Sequence, residues 1–149
     1  MNYHWDWSVF SQLTITTVDR YWQWMLSGLA LTVLVALLAW MFALVLGVLL
    51  GIARTVPSRP ARAAVGVYVE VFRNIPLLVQ LFFWYYIAPV FLPLPLQDVI
   101  NTAQPVLVQT VTAVFCLGLF TAARVCEQVR AGIEAQPKDQ FSAALALGL

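Results

Sequence analysis

Four charged residues, Arg124, Glu127, Arg130 and Glu134, recur at intervals of three and four in "ARVCEQVRAGIEAQ". On a helix that spacing places them along one face, where opposite charges pair. Two carboxylates so arranged could serve as an acid and a base, but the alternation of sign is met more economically by a ladder of surface salt bridges. A second pair, Glu70 and Arg73 in "VYVEVFR", also shares a helical face. If those two lie within a membrane they line a polar path, because intramembrane charge is costly and kept for function. If the span starts near Ile75, they lie on the cytoplasmic surface, and Pro76 then sits in a first helical turn where its missing N–H costs nothing. Thr110 and Thr112 could face a polar path or bond back to their own helix carbonyls.

Other chemistries lack their residues. His4 is the single histidine, so a histidine triad, a histidine zinc site and a haem ligand inside a membrane have no candidate. No G-x-x-x-x-G-K-[ST] occurs, so the sequence holds no P-loop for ATP. Cys116 and Cys126 fit neither a metal clip nor a disulfide framework and read as reduced packing residues. No cofactor or metal is implied, and a net charge of +1 offers no basic surface for nucleic acid.

The elements that must position these residues are apolar. The sequence is 62% hydrophobic and 10% charged, with a mean hydropathy of +0.83, whereas soluble domains carry about 25% charged residues. Three runs are long enough to cross a bilayer, which takes about 20 apolar residues in a helix. They predict spans over about 24–53, 75–92 and 104–123, with "APVFLPLPLQD" as a short rigid turn after the second. The first run is too long and begins too late for a cleavable signal peptide. Basic residues favour cytoplasmic loops. Placing Arg54, Arg59, Arg62 and Arg73 inside also places Arg124, Arg130 and Lys138 inside after two more crossings. Trp22, Trp24, Trp84, Tyr85 and Tyr86 then fall at the outer interface, where amphipathic rings settle. The expected fold is therefore an all-α, polytopic inner-membrane helical bundle with its N-terminus out and C-terminus in. Gly47 and Gly51 form a small-xxx-small pair that lets two helix backbones approach closely.

Two stretches resemble a known family, the membrane subunits of ABC-type importers for polar amino acids. "ARVCEQVRAGIEAQPKDQFSAALALGL" is similar to that family's cytoplasmic loop through Glu127, Arg130, Gly132, Ile133, Pro137, Gln140, Ala143, Ala144, Leu147, Gly148 and Leu149. "YVEVFRNIPLLVQLFFWYY" is similar to its second motif through Glu70, Arg73, Pro76, Leu77, Gln80 and Phe82. Within the family the likeness is strongest to glutamate/aspartate permease subunits, in "HWDWSVF", "FRNIPLLVQ" and "CLGLFTAARVCEQVRAGI".

The resemblance implies the N-terminal part of a type I importer permease fold, a single incomplete domain over 1–149 with a cytoplasmic coupling segment at 124–149. It implies a transport subunit without its own ATPase site, working with ATP-binding subunits, with a sister permease or a second copy, and with an extracytoplasmic solute-binding protein. Another polar amino acid such as glutamine or arginine, or a scaffold that moves nothing, is the alternative. Gln140, Ser142, Ala143, Ala144, Leu147 and Gly148 would form the helix that docks on the ATPase, supported by Glu127, Arg130, Gly132 and Pro137. Phe141, Leu145 and Leu149 make one apolar stripe of that helix. Glu70, Arg73, Gln80, Thr110 and Thr112 are the candidates for the translocation path. The family often carries Glu where Ser142 stands and Gly where Asp139 stands, and its members continue into further spans, so this sequence reads as truncated.

Overall fold

The computed structural model describes residues 6–13 and 20–136, all of which are helix, turn or loop apart from one isolated bridge. The chain divides into two compact units, 1–37 and 38–149. In the first, a 3-10 turn at Trp7–Ser11 is capped by Asp6, whose carboxylate accepts from the Ser8 N–H at 2.9 Å. Those hydrogen bonds from Ser8 hold the Asp6 carboxyl below its usual range. The bridge pairs Leu13 with Arg20, and the Gln23 side chain accepts from the Arg20 N–H at 2.9 Å as the first long helix begins.

That helix, α1 (Tyr21–Thr55), and α5 (Pro105–Glu134) are long and apolar enough to cross a bilayer. Between them lie α2 (Arg59–Asn74), α3 (Leu77–Phe82), a π-helical turn at Phe83–Ile87, a 3-10 turn at Ala88–Phe91 and α4 (Leu94–Thr102). The second predicted span, 75–92, corresponds to α3 and the two turns that follow it, so it is not one uniform α-helix. Leu77–Phe91 meets α2 at a bend of 105°, and the two satisfy the length and hydropathy of a span only as a bent pair. The cause is local: Pro76 cannot continue α2, and Ile75 before it is forced to extended backbone at φ −89°, ψ 127°.

The stretch expected as a rigid turn departs further. It supplies the 3-10 turn and then α4, a helix the sequence reading did not foresee. Its prolines allow this because they occupy first turns, where the N–H they lack has no intrahelical partner. Pro89 is the second residue of the 3-10 turn, Pro93 is the N-cap of α4 and Pro95 is the second residue of α4.

In the second unit α5 is the central element. The late part of α1 packs on it through Gly47 and Gly51, and α2 packs on it through Val65 and Val69, which close over Ala123 and Cys126. Tyr68 of α2 donates its hydroxyl to the Leu119 carbonyl at 2.7 Å, pinning the two helices. Cys116 and Cys126 are free thiols, fully buried, as packing residues should be. Most large apolar side chains remain outside this small core, Phe91 at 80% and Leu94 at 74% exposure among them. That distribution suits a solvent of lipid or neighbouring helices rather than water.

Candidate functional site

Of the charged residues singled out in the sequence, Glu70, Arg73, Glu127, Arg130 and Glu134 gather where the ends of α1 and α2 meet α5. Glu127 is the hub. One of its oxygens pairs with the Arg54 guanidinium, which projects from the last turn of α1. The other accepts from Arg130, at 3.2 Å from Nε and 3.0 Å from Nη2. Arg130 then reaches Glu134 with Nη1 at 2.7 Å. The ladder along α5 is therefore present from Glu127 to Glu134, but Arg124 stands apart, its guanidinium 4.3 Å from the centre of the Phe120 ring. Glu127 and Arg54 keep only 21% and 23% of their side-chain surface. A pair shielded to that degree is screened less than a surface one and depends more on both partners being present.

Beside this cluster lies a polar depression of about 390 Å³ lined by Arg54, Val69, Glu70, Arg73, Asn74 and Glu127. Glu70 and Arg73 are exposed and make no ion pair among the described residues. Cys126 on α5 is fully buried and serves as a packing group.

The remaining candidates sit elsewhere. Thr110 donates to the Val106 carbonyl at 2.7 Å, the back-bond that was one of its two readings. Thr112 lines an opening of about 240 Å³ with Tyr85, Tyr86 and Gln109, between the π-helical turn and α5. An adjoining apolar cavity of about 640 Å³ is bounded by Trp84, Phe91 and Phe115. Gln80 is buried and its amide faces the α2–α3 break. Gly132 lies in the last turns of α5, and a Cβ built there meets nothing within 4 Å. Gly132→Ala is accordingly expected to keep or raise thermal stability of the isolated chain, by up to about 1 kcal/mol for relief of helical glycine. A melting temperature lowered by that substitution would show that the glycine serves the fold of this chain itself. Pro137, Gln140, Ser142, Ala143, Ala144, Leu147 and Gly148 lie outside the described residues.

Sequence reasoning missed Arg54 and Gln109 as site residues. Arg54 counted only toward orientation, because nothing local links it to Glu127. The glutamines had a readable signal: Gln80, Gln97 and Gln109 each follow a proline by four residues, in "PLLVQ", "PLPLQ" and "PVLVQ".

Comparison with known proteins bears on the whole arrangement. Residues 43–149 match the family model of binding-protein-dependent transport system inner membrane components. Over its full length the chain is 42% identical to the glutamate/aspartate import permease protein GltJ of Escherichia coli K12, covering 61% of that protein. It is 31% identical over 147 residues to the glutamate/aspartate import permease protein GltK of Escherichia coli O6:H1, covering 60% of it. The chain thus spans about three-fifths of the length of these curated relatives. Among solved structures, an amino acid ABC transporter crystallised with histidines aligns with a TM-score of 0.62 at 27% identity, over 90% of this chain and 59% of that one.

Proposed function

Since this chain belongs to the binding-protein-dependent transport system inner membrane components, we propose that it is the membrane-embedded permease part of an ATP-driven importer of glutamate and aspartate. The 42% identity to a glutamate/aspartate permease across the entire chain carries this reading. The partners it calls for are separate ATP-binding subunits, a sister permease or second copy, and an extracytoplasmic solute-binding protein. The absence of a P-loop from the sequence suits that division of labour. Orientation follows from the arginines: the Arg54–Arg73 connection and the Arg124–Lys138 segment face the cytoplasm, with the N-terminus outside.

In this reading the Arg54–Glu127–Arg130–Glu134 cluster stands at the cytoplasmic root of α5, directly before the segment proposed to dock on the ATPase. Gln140, Ser142, Ala143, Ala144, Leu147 and Gly148 make that contact, with Gly132 and Pro137 shaping the approach. A force-bearing helix needs a fixed base, and ion pairs that tie α5 to the end of α1 supply one. Glu70 and Arg73 flank the polar depression as the charged members of the translocation path. Thr112 lines the opening beside Tyr85 and Tyr86, while Gln80 and Thr110, whose polar groups bond to backbone carbonyls, line neither opening.

Labelled-substrate uptake in cells deleted for the gene, and in the same cells complemented, tests this. Glutamate and aspartate uptake is expected to disappear on deletion and return on complementation. Leucine at Gly148 should abolish uptake and co-purification of the ATP-binding subunit while leaving the protein in the membrane. Glutamate uptake that survives deletion with no other importer present overturns the substrate assignment. An ATP-binding subunit that still co-purifies with the Gly148→Leu protein overturns the docking assignment.

A further inference from the structure

We infer that Gln80 is a positioning residue: its side-chain amide substitutes for the backbone N–H that Pro76 lacks and so sets the bend between α2 and α3. In an uninterrupted helix the Phe72 carbonyl would accept from the N–H of residue 76. Proline has none, so that carbonyl is orphaned, and the extended Ile75 leaves its own carbonyl in the same state. Gln80 Nε2 donates to both, at 3.0 Å to Phe72 O and 2.8 Å to Ile75 O. The amide can satisfy two carbonyls only in this orientation, since Oε1 offers lone pairs and no proton. Gln80 is only 5% exposed, and Oε1 has no partner among the described residues, so the side chain is held by its NH₂ end.

The same device occurs at the next break. Gln97, also four residues after a proline N-cap, donates through Nε2 to Val90 O at 3.1 Å and Leu92 O at 2.8 Å. Both breaks thus join an extended pre-proline residue to a new helix through the amide of that helix's own glutamine. At the first break Gln80 is buried, so the two carbonyls depend on its amide for a partner. The segment between the two staples carries Trp84, Tyr85 and Tyr86, so its angle decides how those rings meet α5. This rests on the proposed membrane setting but not on the proposed substrate or partners.

A double-mutant cycle between Gln80 and Pro76 tests it in the full chain in lipid nanodiscs. Spin labels at Val67 on α2 and Phe91 beyond α3, both on exposed positions, report the bend as a distance distribution. Gln80→Met keeps the bulk of the side chain and removes its amide. It is expected to abolish the single narrow distance while Pro76 is present. In the Pro76→Ala background the restored N–H reaches the Phe72 carbonyl, and adding Gln80→Met is expected to change the distribution far less. A distribution unmoved by Gln80→Met, or moved equally in both backgrounds, overturns the proposal. Should Gln80→Met not assemble, Gln80→Asn, whose shorter amide cannot span both carbonyls, is read in the same cycle. Because nothing in this measurement depends on transport, its failure and that of the importer assignment are separately visible.

Discussion

Alanine at Gly47 or Gly51 is expected to break the seam between α1 and α5, and leucine to prevent it from forming. A Cβ placed on Gly47 would stand 2.6 Å from Val125 Cβ and 2.9 Å from the Ala122 carbonyl oxygen. On Gly51 it would stand 2.6 Å from Val129 Cβ and 3.1 Å from the Cys126 carbonyl oxygen. The obstacles are a stiff β-branched side chain and helix backbone, neither of which yields by rotating a distant bond. Overpacking of this kind costs about 1–3 kcal/mol for a single carbon and more for a leucine. In lipid the loss is uncompensated, because close van der Waals approach is what holds such helices together. Thermal unfolding in detergent is the measurement, with Gly66→Ala as control, since a Cβ at Gly66 meets nothing within 4 Å. Val129→Ala should relieve little of the Gly51→Ala defect, because its own Cβ is the nearest atom. A Gly47→Ala protein that melts like the Gly66→Ala control contradicts the packing argument.

Removing Glu127 is expected to cost more than removing either of its partners. Glu127→Ala leaves two guanidinium groups, Arg54 and Arg130, without their shared carboxylate. Arg54→Ala leaves Glu127 still paired with Arg130, and Arg130→Ala leaves it paired with Arg54. Since these side chains are one-fifth to one-third exposed, solvent screening reduces each contribution below that of a fully buried pair. We expect about 1–3 kcal/mol for Glu127→Ala and about 1 kcal/mol for Arg54→Ala. The Arg54–Glu127 cycle should show coupling, with the double variant less damaged than the sum of the singles. A charge swap, Arg54→Glu with Glu127→Arg, should recover only part of the stability, because it sets two like charges at 127 and 130. Strict additivity of Arg54→Ala and Glu127→Ala would mean that the pair does not join α1 to α5. Thermal melts of the single and double variants decide this, and uptake assays on the same proteins show whether the joint also serves transport.

Much of the fold was legible because it depends on short-range physics. Runs of apolar residues with few charges predict helices that cross lipid, and α1 and α5 follow those runs. The ladder from Glu127 to Glu134 follows from helical spacing alone. Gly47 and Gly51 announced a close helix contact through their interval. The break between α2 and Leu77–Phe91 falls at Pro76, where the sequence starts the second span, but hydropathy gives no angle for it. Pro76 was read as the start of a helix, which it is, and the same proline with the extended Ile75 before it is the local cause of the 105° bend. The helix α4 was missed because three nearby prolines look like a turn unless each is placed in a first helical turn.

The amino-acid sequence by itself therefore determined the helical class, the membrane solvent, the intrahelical charge ladder and the small-residue seam, each set by neighbours within one or two turns. Only the tertiary structure decided which helix that seam meets, that Arg54 reaches Glu127, and that Tyr68 donates to the Leu119 carbonyl. The physical reason is one of range. Periodicity and propensity act along a few residues of chain, whereas these contacts join segments whose separation in sequence is closed only when α1, α2 and the α2–α3 bend come to rest against α5.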